Sequence, residues 1–182
     1  MNPELRSTLL KVAAPLLAIV VVLVVTKLRG ISWRDVVGLR APRVRQFVIW
    51  MLLWIVWVAV EEGAIRLLHL DQAHPWPQKD PLIIALRIAA IGILGPVAEE
   101  LVFRGLLLGR LMATKLGVYG SVALIAAGWA LIHVQYGWPT LLMIFLDGLI
   151  LGAARVRSRS LYVPIAMHMA GNLFSICQSL SG

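Results

Sequence analysis

The sequence predicts an all-α protein: a polytopic transmembrane helical bundle of about six spans, one of them broken at Gly95-Pro96. Three observations carry that prediction. The chain of 182 residues is 60% hydrophobic with a mean hydropathy of +0.86, whereas a soluble domain is nearer half apolar. Its apolar residues fall into stretches of membrane-spanning length, for which about 20 helical residues are needed. Its basic residues cluster between those stretches, as topology signals do.

Taken in order, the expected spans are 8–26, 46–60, 82–114, 119–135, 139–154 and 161–178. The first is apolar from Leu9 to Val25 apart from Lys11, and no small-x-small cleavage site precedes Lys27. It reads as a retained helix rather than a signal core. The second and fifth are short for a full crossing, and 82–114 is too long for a single one. Gly95-Pro96 is expected to divide it, because Pro96 lacks an amide donor and the residue before a proline disfavours helical geometry. Such a break is tolerated at membrane depth only where the backbone is buried in protein or lines a cavity. This one falls three residues before Glu99. Gly148 with Gly152, and Ala85 with Ala89, form small-xxx-small pairs that mark close helix approach. Trp50, Trp54 and Trp57 share one helical stripe, read as packing or interface anchoring. The two halves lack the matched broken spans of an inverted-repeat transporter. The chain divides into an N-terminal two-span region with an extracytoplasmic loop, residues 1–80, and a helical core, residues 81–182.

The net charge is +8. Its distribution argues against nucleic acid as a partner, because the basic residues sit in loops between apolar stretches. Lys27, Arg29, Arg34, Arg40, Arg43 and Arg45 follow the first span; Arg110 and Lys115 follow the third; Arg155, Arg157 and Arg159 follow the fifth. Alternating spans put all three clusters on one side, hence the cytoplasm, with both termini and the loop 61–80 outside. Cys177 is the only cysteine, which excludes an intrachain disulfide and a cysteine metal cage. With no histidine near it in sequence, it is a poor nucleophile candidate.

Charged side chains cost about 2.5–3.5 kcal/mol each at mid-span on insertion scales, so those inside these stretches call for a chemical reason. Foremost among them are Glu99, Glu100 and Arg104; His133 follows in a later stretch, then His168 with Asn172. Residues four apart share a helical face, so Glu100 stacks with Arg104 as an ion pair. Glu99 points about 100° away, at 3.6 residues per turn, with no partner on its own helix. Desolvation disfavours its charge, while the positive end of a helix starting near Pro96 favours it. That balance suits a general base; the alternative is a structural ion pair at a helix end. His133 shares a helical face with Trp129, where the bland alternative is a packed histidine. His168 and Asn172, four apart, could aim two neutral donors at one point and stabilise an oxyanion, or form interhelical hydrogen bonds. No Ser or Cys with a paired base stands out, so water is the expected nucleophile and peptide hydrolysis the expected reaction; the alternative is a non-catalytic membrane immunity or interaction protein of the same fold. No cofactor is expected. A zinc site from Glu99, His133 and His168 is the rival, as His₂Glu is a catalytic ligand set, although the HExxH spacing of a zinc protease is missing.

These residues resemble the CPBP family (CAAX-protease and bacteriocin-processing, also called ABI) of intramembrane glutamic endopeptidases. EExxxR appears as Glu99-Glu100-Leu-Val-Phe-Arg104, FxxxH as Trp129-Ala-Leu-Ile-His133, and HxxxN as His168-Met-Ala-Gly-Asn172, over about residues 82–178. The resemblance implies that Glu99 and His133 activate water, that His168 and Asn172 form an oxyanion hole, and that Glu100 and Arg104 brace the site. It also implies a membrane-anchored protein or peptide as substrate and a place in a bacterial inner membrane. Two departures stand out: Trp129 takes the place of the usual Phe, and Asp147 lies where the family is apolar. A decoy, Glu61-Glu62-Gly-Ala-Ile-Arg66, repeats the first motif at the outer end of span two without the downstream spacing to the histidines. His69 and His74 in the following loop are expected to be solvated.

Overall fold

A computed structural model describes residues 3–70, 76 and 80–181. Its long helices are α1 (Pro3–Leu28), α2 (Val44–Leu67), α3 (Pro81–Leu111), α4 (Gly117–Leu131), α5 (Trp138–Ser158) and α6 (Tyr162–Ser181), with one π-helical turn at Trp33–Val37. No strand occurs among the described residues, and the architecture is an all-α membrane bundle. Four helices, α1, α2, α3 and α5, are long and apolar enough to cross a membrane. The sequence predicts six crossings, but α4 has only 15 residues, and α6 interrupts its apolar face with His168, Asn172 and Gln178.

Several boundaries differ from the sequence expectation. The second span is not short: α2 has 24 residues and runs through Glu61-Glu62 to Leu67. Glu and Arg are good helix formers, and Arg66 Nε donates to Glu62 Oε1 at 2.7 Å one turn away, which supports the extra turns. Likewise α5 has 21 residues and takes Arg155 and Arg157 into its last turn, where cations complement the helix dipole. At the other extreme, α4 stops at Leu131, so His133 lies in the turn beyond it.

The break expected at Gly95-Pro96 is not an interruption. α3 continues for 31 residues, with Leu94 at φ −66°, ψ −42° and Gly95 at φ −56°, ψ −61°. The chain accommodates the proline by widening into a π-helical stretch at Ile88–Leu94, where the Gly95 amide bonds the Ala90 carbonyl five residues back. In that register the next amide would come from Pro96, which has none, so the Ile91 carbonyl needs a donor from elsewhere. Asn172 Nδ2 on α6 supplies it at 2.8 Å. A neighbouring helix thus satisfies the backbone group that the proline frees, as low-dielectric surroundings require.

α4 and α5 pack closely because α5 presents glycine at the contact. A β-carbon on Gly148 would stand 2.8 Å from that of Ala126, and one on Gly152 would stand 2.8 Å from Cγ1 of Val122. The core gathers Trp54, Trp129, Leu151, Ala154, Val163 and Met167, with Trp50 and Trp57 against it. A second cluster joins Val22, Ile31 and Val37 to Leu101 and Leu161, so residues 1–80 pack directly on the later helices. Large apolar side chains of α1 and α2, including Leu10, Leu17, Ile55 and Val56, point outward, as lipid-facing surfaces do. The loop segments carrying the basic clusters meet at one end of the bundle. There Arg155 Nη2 donates to Val36 O at 3.1 Å, Ser160 Oγ to Arg40 O at 2.6 Å and Gln46 Nε2 to Arg157 O at 3.3 Å. At the far end of α2, His69 is exposed with φ 50°; His74 lies outside the described residues.

Candidate active site

α3 carries the acidic pair inward. The side chains of Glu100 and Arg104 are 0% exposed, and Arg104 Nη1 donates to Glu100 Oε1 at 2.9 Å, the ion pair that i,i+4 spacing predicts. The same oxygen accepts from His168 Nδ1 on α6 at 3.0 Å. Arg104 Nη2 reaches the Gly148 carbonyl on α5 at 3.4 Å, a carbonyl left accessible where the glycine brings α4 and α5 together. A buried charge is tolerated only with good partners. Here one carboxylate is shared between a guanidinium and an imidazole from different helices.

Glu99 is half-buried and faces a different neighbour. Its Oε2 accepts the indole N–H of Trp129 on α4 at 2.6 Å, a short charge-assisted bond. Trp129 is itself buried, and the Arg104 guanidinium carbon lies 4.4 Å from the centroid of its ring. Its ring meets those of His133 and His168 edge-on, with centroids 5.5 and 5.3 Å away.

The imidazole tautomers follow from the partners. His133 Nδ1 lies 2.9 Å from the Trp129 carbonyl, which only accepts, so Nδ1 carries the proton. Neutral His133 then has its lone pair at Nε2. His168 is bound at Nδ1 by a carboxylate, so its Nδ1 also donates and its Nε2 stays available. Five of the six predicted residues, Glu99, Glu100, Arg104, His133 and His168, are therefore gathered around Trp129. Asn172 sits one turn beyond His168, but one amide N–H is committed to Ile91, leaving the second.

Glu99, His133 and His168 do not form the zinc set of the rival reading: among the described residues no three His, Cys, Asp or Glu side chains group closely enough to hold a metal ion. Cys177 is free and exposed on α6. Two contacts escape sequence reasoning. The Trp129 indole bonds Glu99, where the sequence shows only a tryptophan in place of the usual Phe. Asp147, without a role in the sequence, accepts the Trp57 indole N–H at 2.5 Å, so the tryptophan stripe of α2 packs and also donates. The only advance signal was the polar end that every tryptophan carries. An apolar cleft of about 530 Å³ opens between α2 and α6, lined by Trp54, Val58, Glu62, Arg66, Gly171 and Phe174 among others; none of the six predicted residues lines it.

Residues 81–174, just over half of the chain and including all six predicted residues, match the family described as type II CAAX prenyl endopeptidase Rce1-like. The chain belongs to this family. That is the kinship the three motifs imply, and it makes the protein an integral membrane protein of a peptidase family. The chain is also 36% identical over 88 residues to an uncharacterized 24.3 kDa protein of Escherichia coli. That alignment covers 47% of this chain and 41% of the relative, so the chain spans less than half of the relative's length. No solved structure matches it.

Proposed function

We propose that the protein is an intramembrane endopeptidase of the glutamate type, which hydrolyses a peptide bond in a membrane-anchored protein or peptide. Glu99 takes a proton from water as the resulting hydroxide attacks the scissile carbonyl carbon. His133, with its lone pair at Nε2, accepts a hydrogen bond from that water and orients it, and Glu99 then passes the proton it took to the leaving amine as the C–N bond breaks. The Nε2 of His168 faces the oxyanion; it donates there only as imidazolium, for which Glu100 is the counter-charge. The second N–H of Asn172 is the other donor. Glu100 and Arg104 brace the site. The observation that carries this reading is the arrangement around one residue: the Trp129 side chain bonds Glu99 and its carbonyl bonds His133.

Residues 81–182 supply every residue of this mechanism, and residues 1–80 act as a packed flank. The end bearing the basic clusters faces the cytoplasm, by the positive-inside rule, in a bacterial inner membrane.

Purified protein in detergent, mixed with a library of membrane-anchored peptides, tests the reading. Wild type is expected to cleave members of the library with or without a strong zinc chelator, and Glu99→Gln is expected to cleave none. Equal cleavage by Glu99→Gln and wild type would falsify it, and loss of cleavage in chelator would return the metal mechanism.

A further inference from the structure

Trp129 touches four members of the site, Glu99, Arg104, His133 and His168, while Glu100 joins them through Arg104 and His168. The Trp129 Nε1–H donates to Glu99 Oε2 at 2.6 Å, and the Arg104 guanidinium carbon is 4.4 Å from its ring centroid. Its carbonyl holds Nδ1 of His133 at 2.9 Å, and the His168 ring packs T-shaped against its own, with centroids 5.3 Å apart. An indole N–H donates and never accepts. It therefore fixes one carboxylate oxygen without competing for the proton. Glu99 Oε1 is left free, on the side where a β-carbon at Gly95 would stand 3.9 Å away.

We infer that Trp129 is a positioning residue: it sets the rotamer of the Glu99 carboxylate and couples it to the buried Glu100–Arg104 pair. The reasoning is geometric. Nothing on α3 itself holds the Glu99 side chain, whose single charge-assisted bond comes from α4. The indole can aim that bond only while its own ring plane is fixed. Arg104 fixes it from one face, and Arg104 is in turn held by Glu100 and the Gly148 carbonyl. The bracing pair, at 0% exposure and bonded away from Glu99, therefore acts on the reacting carboxylate through the indole. A phenylalanine at this position keeps an aromatic face toward Arg104, though a smaller one, and removes the donor.

This inference rests on the proposed catalytic role of Glu99, and its test separates the two. The full chain in detergent micelles is labelled with ¹⁵N at the indole nitrogens of its seven tryptophans. The Trp129 signal is identified by its absence in Trp129→Phe. In wild type this signal is expected at the position of a strongly hydrogen-bonded indole, and in Glu99→Gln to be displaced. A Trp129 signal indifferent to Glu99→Gln overturns the inference whether or not any peptide is cleaved. On the membrane-anchored peptide library, Trp129→Phe is expected to lower kcat about 10- to 100-fold, the scale of an ångström-level misplacement. KM should stay within about twofold, and the pH–rate profile should be displaced. Arg104→Lys, which keeps the charge and loses the planar guanidinium, should move the Trp129 signal in the same sense. A Trp129→Phe enzyme with wild-type kcat and an unmoved pH profile overturns the inference while leaving Glu99 catalytic. A fully active Glu99→Gln overturns the proposed function, and the positioning role with it, even where the indole signal still reports the bond.

Discussion

The same six-residue pattern occurs twice, on α2 as Glu61-Glu62-Gly-Ala-Ile-Arg66 and on α3 as Glu99-Glu100-Leu-Val-Phe-Arg104. Both form the ion pair that i,i+4 spacing dictates, at 2.7 Å in the first and 2.9 Å in the second. The likeness ends there. In the α2 copy the arginine side chain is 68% exposed and the glutamate 21%, against 0% for both in the α3 copy. Glu62 finds Gln178, a neutral donor, at 3.0 Å, and its helix face lines an apolar cleft. Glu100 finds His168, and its neighbour Glu99 finds an indole N–H. A motif thus sets a local pair, while the helices packed across from it decide how deeply that pair is buried and which groups it meets.

The comparison is broken most sharply at the first glutamate of each copy. Glu99→Gln is expected to lower cleavage by at least about 10³-fold, within the range of general acid–base catalysis, while Glu61→Gln should stay within about twofold of wild type. Steady-state cleavage of one library peptide measures both. The arginines should separate next, in stability. Arg104→Ala strands the Glu100 carboxylate without solvent, and removing one partner of a buried pair costs about 3–5 kcal/mol. Arg66→Ala breaks an exposed pair worth about 0–1 kcal/mol. Denaturant unfolding in mixed micelles reads both, and equal losses would mean that burial does not distinguish the copies.

A smaller effect is expected where α6 serves the backbone of α3. Asn172→Leu leaves the Ile91 carbonyl unpaired, a cost of about 1–3 kcal/mol for a buried acceptor. Hydrogen exchange should show faster opening around Ile88–Leu94, and unchanged exchange there would deny Asn172 its structural role. The smallest effect belongs to the turn at Trp33–Val37. The Ser32 hydroxyl, with Arg40 beside it, holds the Asp35 carboxyl below the usual carboxylate range. A lowered value means the contribution is present at neutral pH and is lost as pH falls through the folded-state value. Asp35→Asn should therefore differ slightly from wild type at pH 7 and converge with it in acid, as thermal melts across pH would register.

Sequence alone determined what depends on short-range spacing and on composition. The membrane bundle follows from runs of apolar residues, and the Glu100–Arg104 pair follows from four residues being one turn. The family follows from three motifs in order. Tertiary structure decided the rest. Whether Pro96 breaks α3 depends on a donor to the Ile91 carbonyl from 81 residues further along the chain, Asn172, so the local rule for proline gives the wrong answer here. The ends of α2 and α5 moved outward because charged residues that mark a loop in a hydropathy scan are also good helix formers. The partner of Glu99 was invisible, because nothing in a linear pattern says which helix packs against α3 at that level. Periodicity reports which face of a helix is apolar, but the identity of the group across that face is a long-range contact, and it is this contact that makes Trp129 a donor rather than packing.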